Sequence, residues 1–169
     1  MAFWRVYYHL VWATKNRQPF IGPEIRNHLY AYTTSKAAEL GAYVYAIGGW
    51  CDHVHVVATI PPKHAVAYVV KRLKGASARE MNRSGECDYH FAWQRGYGVL
   101  TCGQNQKAIA VAYVENQERH HKEGSANPWL ERCIDSDEGP SETELPGASA
   151  SPAISEQPES YKLSEDLPF

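Results

Sequence analysis

Two β-prone runs, residues 42–47 and 53–60, are separated only by Gly48-Gly49-Trp50-Cys51-Asp52, and this pair limits the fold more than any other feature. So short and glycine-rich a turn joins antiparallel neighbours, because parallel strands need a crossover of a dozen or more residues. What flanks the pair narrows the choice further. Upstream, residues 4–13 alternate with period two, with Val6, Tyr8, Leu10 and Trp12 on one face and Tyr7, His9 and Val11 on the other, which predicts a first strand. A helix follows that Pro23 can open and Gly41 can close, with Ile25, Leu29, Tyr32 and Leu40 as an intermittent apolar stripe. Downstream, Pro61-Pro62 ends the third strand, and Val66, Val69, Val70, Leu73 and Met81 recur near helical spacing. Residues 91–100 are aromatic and β-prone but broken by Gly96 and Gly98, so a fourth strand with a bend or bulge is expected. From about residue 104 to 121 the pattern is helical again.

The order β-α-β-β-α-β followed by a helix is the split βαβ, or ferredoxin-like, arrangement of the α+β class: an antiparallel sheet with two helices on one face. The third helix then has to lie on the face the first two leave open. A chain of 169 residues, 44% of them hydrophobic, can bury one sizeable core.

The formal charge of −2 conceals an asymmetry. Residues 134–169 carry nine acids against one base, Lys162, which leaves 16 bases and 10 acids in residues 1–133. A body of net +6 suits a polyanionic partner, and the −8 tail holds five of the ten prolines and few large apolar residues. One domain over residues 1–133 with a disordered acidic tail over 134–169 is the expectation. Cys51, Cys87, Cys102 and Cys133 form no C-x-x-C pair, no signal peptide is evident, and no apolar run nears the roughly 18 residues of a membrane span. A cytoplasmic protein with reduced thiols, without membrane partners, is expected.

Two constellations carry chemistry. In Asp52-His53-Val54-His55-Val56, strand geometry points both imidazoles to one sheet face and the valines to the other. Tyr113 and Gln117, four apart on the third helix, share a face. Either motif alone is met in proteins as packed polar decoration or an ordinary amphipathic surface. Together they gain force, since a third helix on the open sheet face brings Tyr113 and Gln117 towards His53 and His55. Two neutral imidazoles and a neutral amide would leave the charge of Mg²⁺ or Mn²⁺ available to a phosphate oxygen, with Tyr113 as nucleophile. A phenol of ordinary pKa near 10 needs activation by metal, by cations or by proton transfer during attack.

The blocks YYHLVWATKNRQPFI, CDHVHVVATIPP, VVKRLKGASARE, FAWQRGYGVLT and AYVENQERHH, in that order, resemble the HUH single-tyrosine transposases of small bacterial insertion sequences, over about residues 3–122. The resemblance implies His53, His55 and Gln117 as ligands of a divalent metal, and Tyr113 as the residue that forms a 5′-phosphotyrosine link and leaves a free 3′-hydroxyl. It also implies recognition of single-stranded DNA hairpins at element ends, and a homodimer in which the tyrosine helix completes the partner's site. Where relatives often have Pro before the Asp of the metal segment, this chain has Trp50-Cys51-Asp52.

Lys71, Arg72, Lys74, Arg79 and Arg83 on the second helix, with Lys15, Arg17 and Arg95, are candidate phosphate contacts, though a basic helical face is also commonly solvated surface. Trp12, Trp93 and Tyr97 could stack on bases but fit a core as well. His121, four residues beyond Gln117, is a rival ligand, with a helix-end or DNA-facing role favoured for it and for His120. His9, His28, His64 and His90 are assigned no role. Three other readings stay open: a domesticated hairpin-processing nuclease, a non-catalytic ferredoxin-like nucleic-acid-binding module, and a metal-binding regulator.

Overall fold

The computed structural model describes residues 3–134, so the expected disorder of the acidic tail lies outside the described residues from 135 onward. Strands β1 (Tyr7–Ala13), β2 (Tyr43–Gly49), β3 (His53–Thr59) and β4 (Gly98–Cys102) alternate with helices α1 (Pro23–Glu39) and α2 (Val66–Ser84), and α3 (Lys107–Glu115) and α4 (Gln117–Lys122) follow. The sheet has the order β2-β3-β1-β4 with every pair antiparallel. Each helical crossover therefore skips one strand, which is the split βαβ fold.

Register decides which side chains meet. Leu10 lies opposite Val56 and Trp12 opposite Val54, whereas Val11 faces His55 and Ala13 faces His53. The first set, on one face, packs with Ile25 and Leu29 of α1 and Val69, Val70, Leu73 and Met81 of α2 into the main core. Each such aliphatic side chain, fully buried, contributes about 1.5–3 kcal/mol. Pro23 opens α1 as expected, and Gly41 beyond its end takes φ +72°, the left-handed conformation that suits glycine.

The other face is covered by α3, through a smaller cluster of Ala46, Val57 and Val114. Gly48 permits this approach, because a Cβ there would stand 2.1 Å from the Val114 carbonyl oxygen. No described helix is long and apolar enough to cross a membrane.

Two elements differ from expectation. The fourth strand starts at Gly98, not at residue 91. Asn82 clamps both the N–H and the carbonyl of Phe91, Lys74 Nζ donates to the carbonyls of Gln94 and Gly96, and Gly96 takes φ +69°. Backbone polar groups of this stretch are thus satisfied by α2 side chains instead of a ladder, apart from an isolated bridge between Thr14 and Trp93. The expected single third helix is two, α3 and α4, divided at Asn116, whose φ of −100° and ψ of 16° leave the helical region. The Asn116 carboxamide donates to the Ala112 carbonyl, a local competition typical of this residue.

Candidate active site

His53 and His55 project from β3 onto the face under α3 and are almost fully buried, at 1% and 0% exposure. Each ring is held from behind. His53 Nδ1 lies 2.6 Å from Asp52 Oδ1, and His55 Nδ1 lies 2.8 Å from Nε2 of His9, two residues along β1 from the strand partner of His55. Asp52 is fixed in turn, because Arg17 pairs with its carboxylate at 3.3 Å and Thr14 bonds its carbonyl. The turn that lacks proline is secured by Trp50 N–H to the His53 carbonyl, Ile21 N–H to that of Cys51 and Thr14 N–H to that of Asp52.

Both Nε2 atoms then converge on one carboxylate oxygen. Oε2 of Glu131 is 2.9 Å from His53 Nε2, 3.0 Å from His55 Nε2 and 3.7 Å from His121 Nε2. The other oxygen, Oε1, accepts a 2.6 Å hydrogen bond from the Tyr113 hydroxyl, which itself accepts from Asn127 N–H. Tyr113 rises from α3 with its ring 6.0 Å from that of His55 and stacks on His120 at 4.9 Å. His121 stacks on Trp50 at 5.4 Å.

Burial governs the charges. It lowers the His9 pKa to about 4, helped by the neighbouring His55, and it lowers those of His55 and His121. At His53 burial is outweighed by the bonds to Asp52 and Glu131, and the pKa rises. Burial would raise the Glu131 carboxyl, but its bonds to His53 and His55 hold it far below the usual carboxylate range. The Tyr113 phenol is pushed up by burial and by the adjacent Glu131, so it is protonated at neutral pH.

The donors suit a divalent ion. Ligand atoms of His53, His55 and Glu131 all lie within 4.8 Å of one another. Gln117, the first residue of α4, is 1% exposed, and neither carboxamide atom makes a hydrogen bond of normal geometry. Buried polar atoms left this way are costly unless something fills their valence. Gln117 also lines a cavity of about 570 Å³ beside Arg26 and Tyr30.

Other expected site residues are scattered. Lys71, Arg72, Arg79 and Arg83 are exposed along α2, Lys15 is exposed at the start of a 3-10 turn (Lys15–Arg17), and Arg95 is exposed in a loop. Lys74 turns inward to the carbonyls of Gln94 and Gly96, and Arg17 to Asp52, the Glu131 carbonyl and Cys133 Sγ. Trp12 is wholly buried in the core. His120 and His121 lie in the last turn of α4, where His120 stacks on Tyr113 and His121 on Trp50. Sequence reasoning missed His9 and Glu131. The period-two pattern did put His9 on the side of Tyr7 and Val11, yet only the register with β3 reveals its partner; Glu131 lies 76 residues from His55 and carries no spacing signal.

Residues 2–117 match the family model described as transposase, IS200-like. The chain is 33% identical over 121 residues to the ISDra2 transposase TnpA of Deinococcus radiodurans, covering 69% of this chain and 85% of that protein. To the transposase of insertion sequence element IS200 of Salmonella typhimurium it is 30% identical over 127 residues, covering 72% and 82%. A crystal structure of a candidate transposase from Deinococcus radiodurans superposes with TM-score 0.56 at 31% identity, over 69% of this chain and 93% of that one. The fold is also that of a REP-associated tyrosine transposase bound to a REP hairpin, with TM-score 0.52 at 12% identity over 75% and 76% of the two chains. The fold is thus shared with these solved structures, and the chain belongs to the IS200-like transposase family.

Proposed function

We propose that this transposase cleaves and rejoins single-stranded DNA at hairpin-marked element ends, with Tyr113 as nucleophile and His53, His55 and Gln117 holding Mg²⁺ or Mn²⁺. One observation carries the reading: the Tyr113 hydroxyl and the Nε2 atoms of His53 and His55 all face a single carboxylate, so nucleophile and ligands address a volume the size of one small anion. When bound, a divalent ion would polarise a phosphate oxygen and offset charge developing on the phosphoryl group. Tyr113 Oη would attack phosphorus as the bond to O3′ breaks, leaving a 5′-phosphotyrosine and a 3′-hydroxyl. The phenolic proton passes to solvent during attack, and the released O3′ takes one from solvent. The covalent link keeps the phosphodiester energy for rejoining, so no nucleotide cofactor is needed. Asp52 and His9 would hold the two imidazoles with Nε2 aimed at the site.

The exposed cations of α2, Lys71, Arg72, Arg79 and Arg83, lie on the helix-covered side of the sheet, across from Tyr113. They suit a hairpin stem, with Lys15 and Arg95, and not the scissile phosphate. Labelled single strands from both flanks of the gene, incubated with Mn²⁺ or Mg²⁺, should give a denaturation-resistant adduct that Tyr113→Phe and EDTA abolish. Hairpin binding with no adduct on any flank would contradict the proposal and favour a binding module. The reading includes a homodimer with exchanged tyrosine helices, although within one chain Tyr113 already stands by its own His55. Mixing Tyr113→Phe with His55→Ala protein should then restore adduct; failure to do so would restrict the chemistry to one chain.

A further inference from the structure

We infer that Glu131 is a working part of this site, an anionic ligand of the cation held by His53 and His55 that also fixes the Tyr113 hydroxyl. The inference rests on the cation reading above. Glu131 comes from a segment outside the helices and outside the residues the family model matches, yet its side chain is only 15% exposed and faces the Nε2 atoms of three imidazoles.

Charge is the first argument. The groups its two oxygens meet are imidazoles and a phenol, none of them permanently charged. Arg17, which reaches the same segment, pairs with the Asp52 carboxylate and bonds the main-chain carbonyl of Glu131. With those imidazoles in the neutral form that metal ligation requires, a carboxylate drawn out of water among them needs a cation to offset its desolvation. Two imidazole nitrogens converging on one carboxylate oxygen are the donors that a divalent ion binds.

Anchoring is the second argument. Gly124 reverses the chain at φ +65°, and Asn127 N–H bonds the Tyr113 hydroxyl. Beyond Glu131, Cys133 is buried with Val11 and Ala13 of β1, and its carbonyl accepts from Gln94. A Cβ at Gly98 would stand 2.1 Å from the Arg132 carbonyl oxygen, so β4 accepts this segment only because it has glycine there. The backbone on both sides of Glu131 is thus held against the sheet, and the carboxylate is delivered to one place. From there Oε1 orients the nucleophile at 2.6 Å while Oε2 meets the ligand set, which ties the two halves of the chemistry together.

Mn²⁺ binding to the full-length protein, followed by electron paramagnetic resonance of the free ion, tests the inference without DNA or turnover. Glu131→Gln, nearly isosteric, should weaken Mn²⁺ by about tenfold or more while keeping a wild-type melting curve, and should lower the adduct yield. Glu131→Ala should do the same. Unchanged Mn²⁺ affinity in both variants would overturn the inference. So would faster adduct formation in Glu131→Ala, the sign of a carboxylate that blocks the phosphate. A His53→Ala, His55→Ala double variant separates the two levels: if it binds Mn²⁺ as wild type does, the cation reading has failed, whereas if only the Glu131 variants do, Glu131 alone has been misassigned.

Discussion

The two faces of the sheet are built from the same strands, one residue out of step, and are equally dry. Leu10, Trp12, Val54 and Val56 are at most 1% exposed on one face, and His9, His53 and His55 at most 5% on the other. What differs is the cover. On the first face α1 and α2 bring aliphatic side chains, and burial there is nearly all gain. On the second, α3, α4 and the segment after α4 bring Tyr113, Gln117 and Glu131, and each buried imidazole needs a polar partner to offset its desolvation. One face stabilises the fold, and the other spends part of that stability on holding buried polar groups in fixed positions.

Substitutions that cross this division should separate stability from activity. Leu10→Ala should lower unfolding free energy by about 2–5 kcal/mol, measured by urea titration, with Mn²⁺ affinity intact in the folded protein. His55→Gln should remove the adduct at far smaller cost in stability; a variant that loses as much stability as Leu10→Ala would make the second face structural too. Gly48→Ala strikes the cover itself, since its Cβ meets the Val114 carbonyl. Lifting α3 should cost about 1–3 kcal/mol and abolish adduct formation, while binding of a hairpin stem persists.

Smaller effects belong to His9. His9→Ala should weaken Mn²⁺ about 10–100-fold because His55 loses the acceptor that keeps its proton on Nδ1, and His9→Gln, which restores an acceptor, should recover part of that. Its pH signature has a fixed sign. The folded pKa of about 4 lies below the ordinary histidine value of 6.5, so the stability contribution is complete above 6.5 and is lost as pH falls to about 4. Thermal melts of metal-free wild type and His9→Gln should therefore converge on acidification through that window; parallel curves would mean that His9 is not buried neutral.

The split βαβ order was legible because each element carries its own period and its own terminator, such as Pro23 and Gly41 around α1. Residues 91–96 misled because their aromatic content reads as strand, whereas Phe91 packs in the core and its backbone is satisfied by Asn82. Asn116 divides the last helix through a side-chain bond that periodicity does not register. In the site, His53 and His55 stood out as a pair within one strand, where spacing fixes the face, and Tyr113 and Gln117 as a pair on a helix that is in fact divided between them at Asn116. His9 and Glu131 depend on strand register and on a loop's path, which only tertiary packing sets.

The central claim is that Tyr113 becomes covalently joined to DNA. Mass spectrometry of proteolysed adduct, formed with Mn²⁺ on flank-derived single strands and quenched by denaturation, tests it most directly. The account predicts a nucleotide 5′-phosphate on the peptide that contains Tyr113, absent with EDTA. Attachment to another residue, or strand cleavage with no protein-linked product, would contradict it.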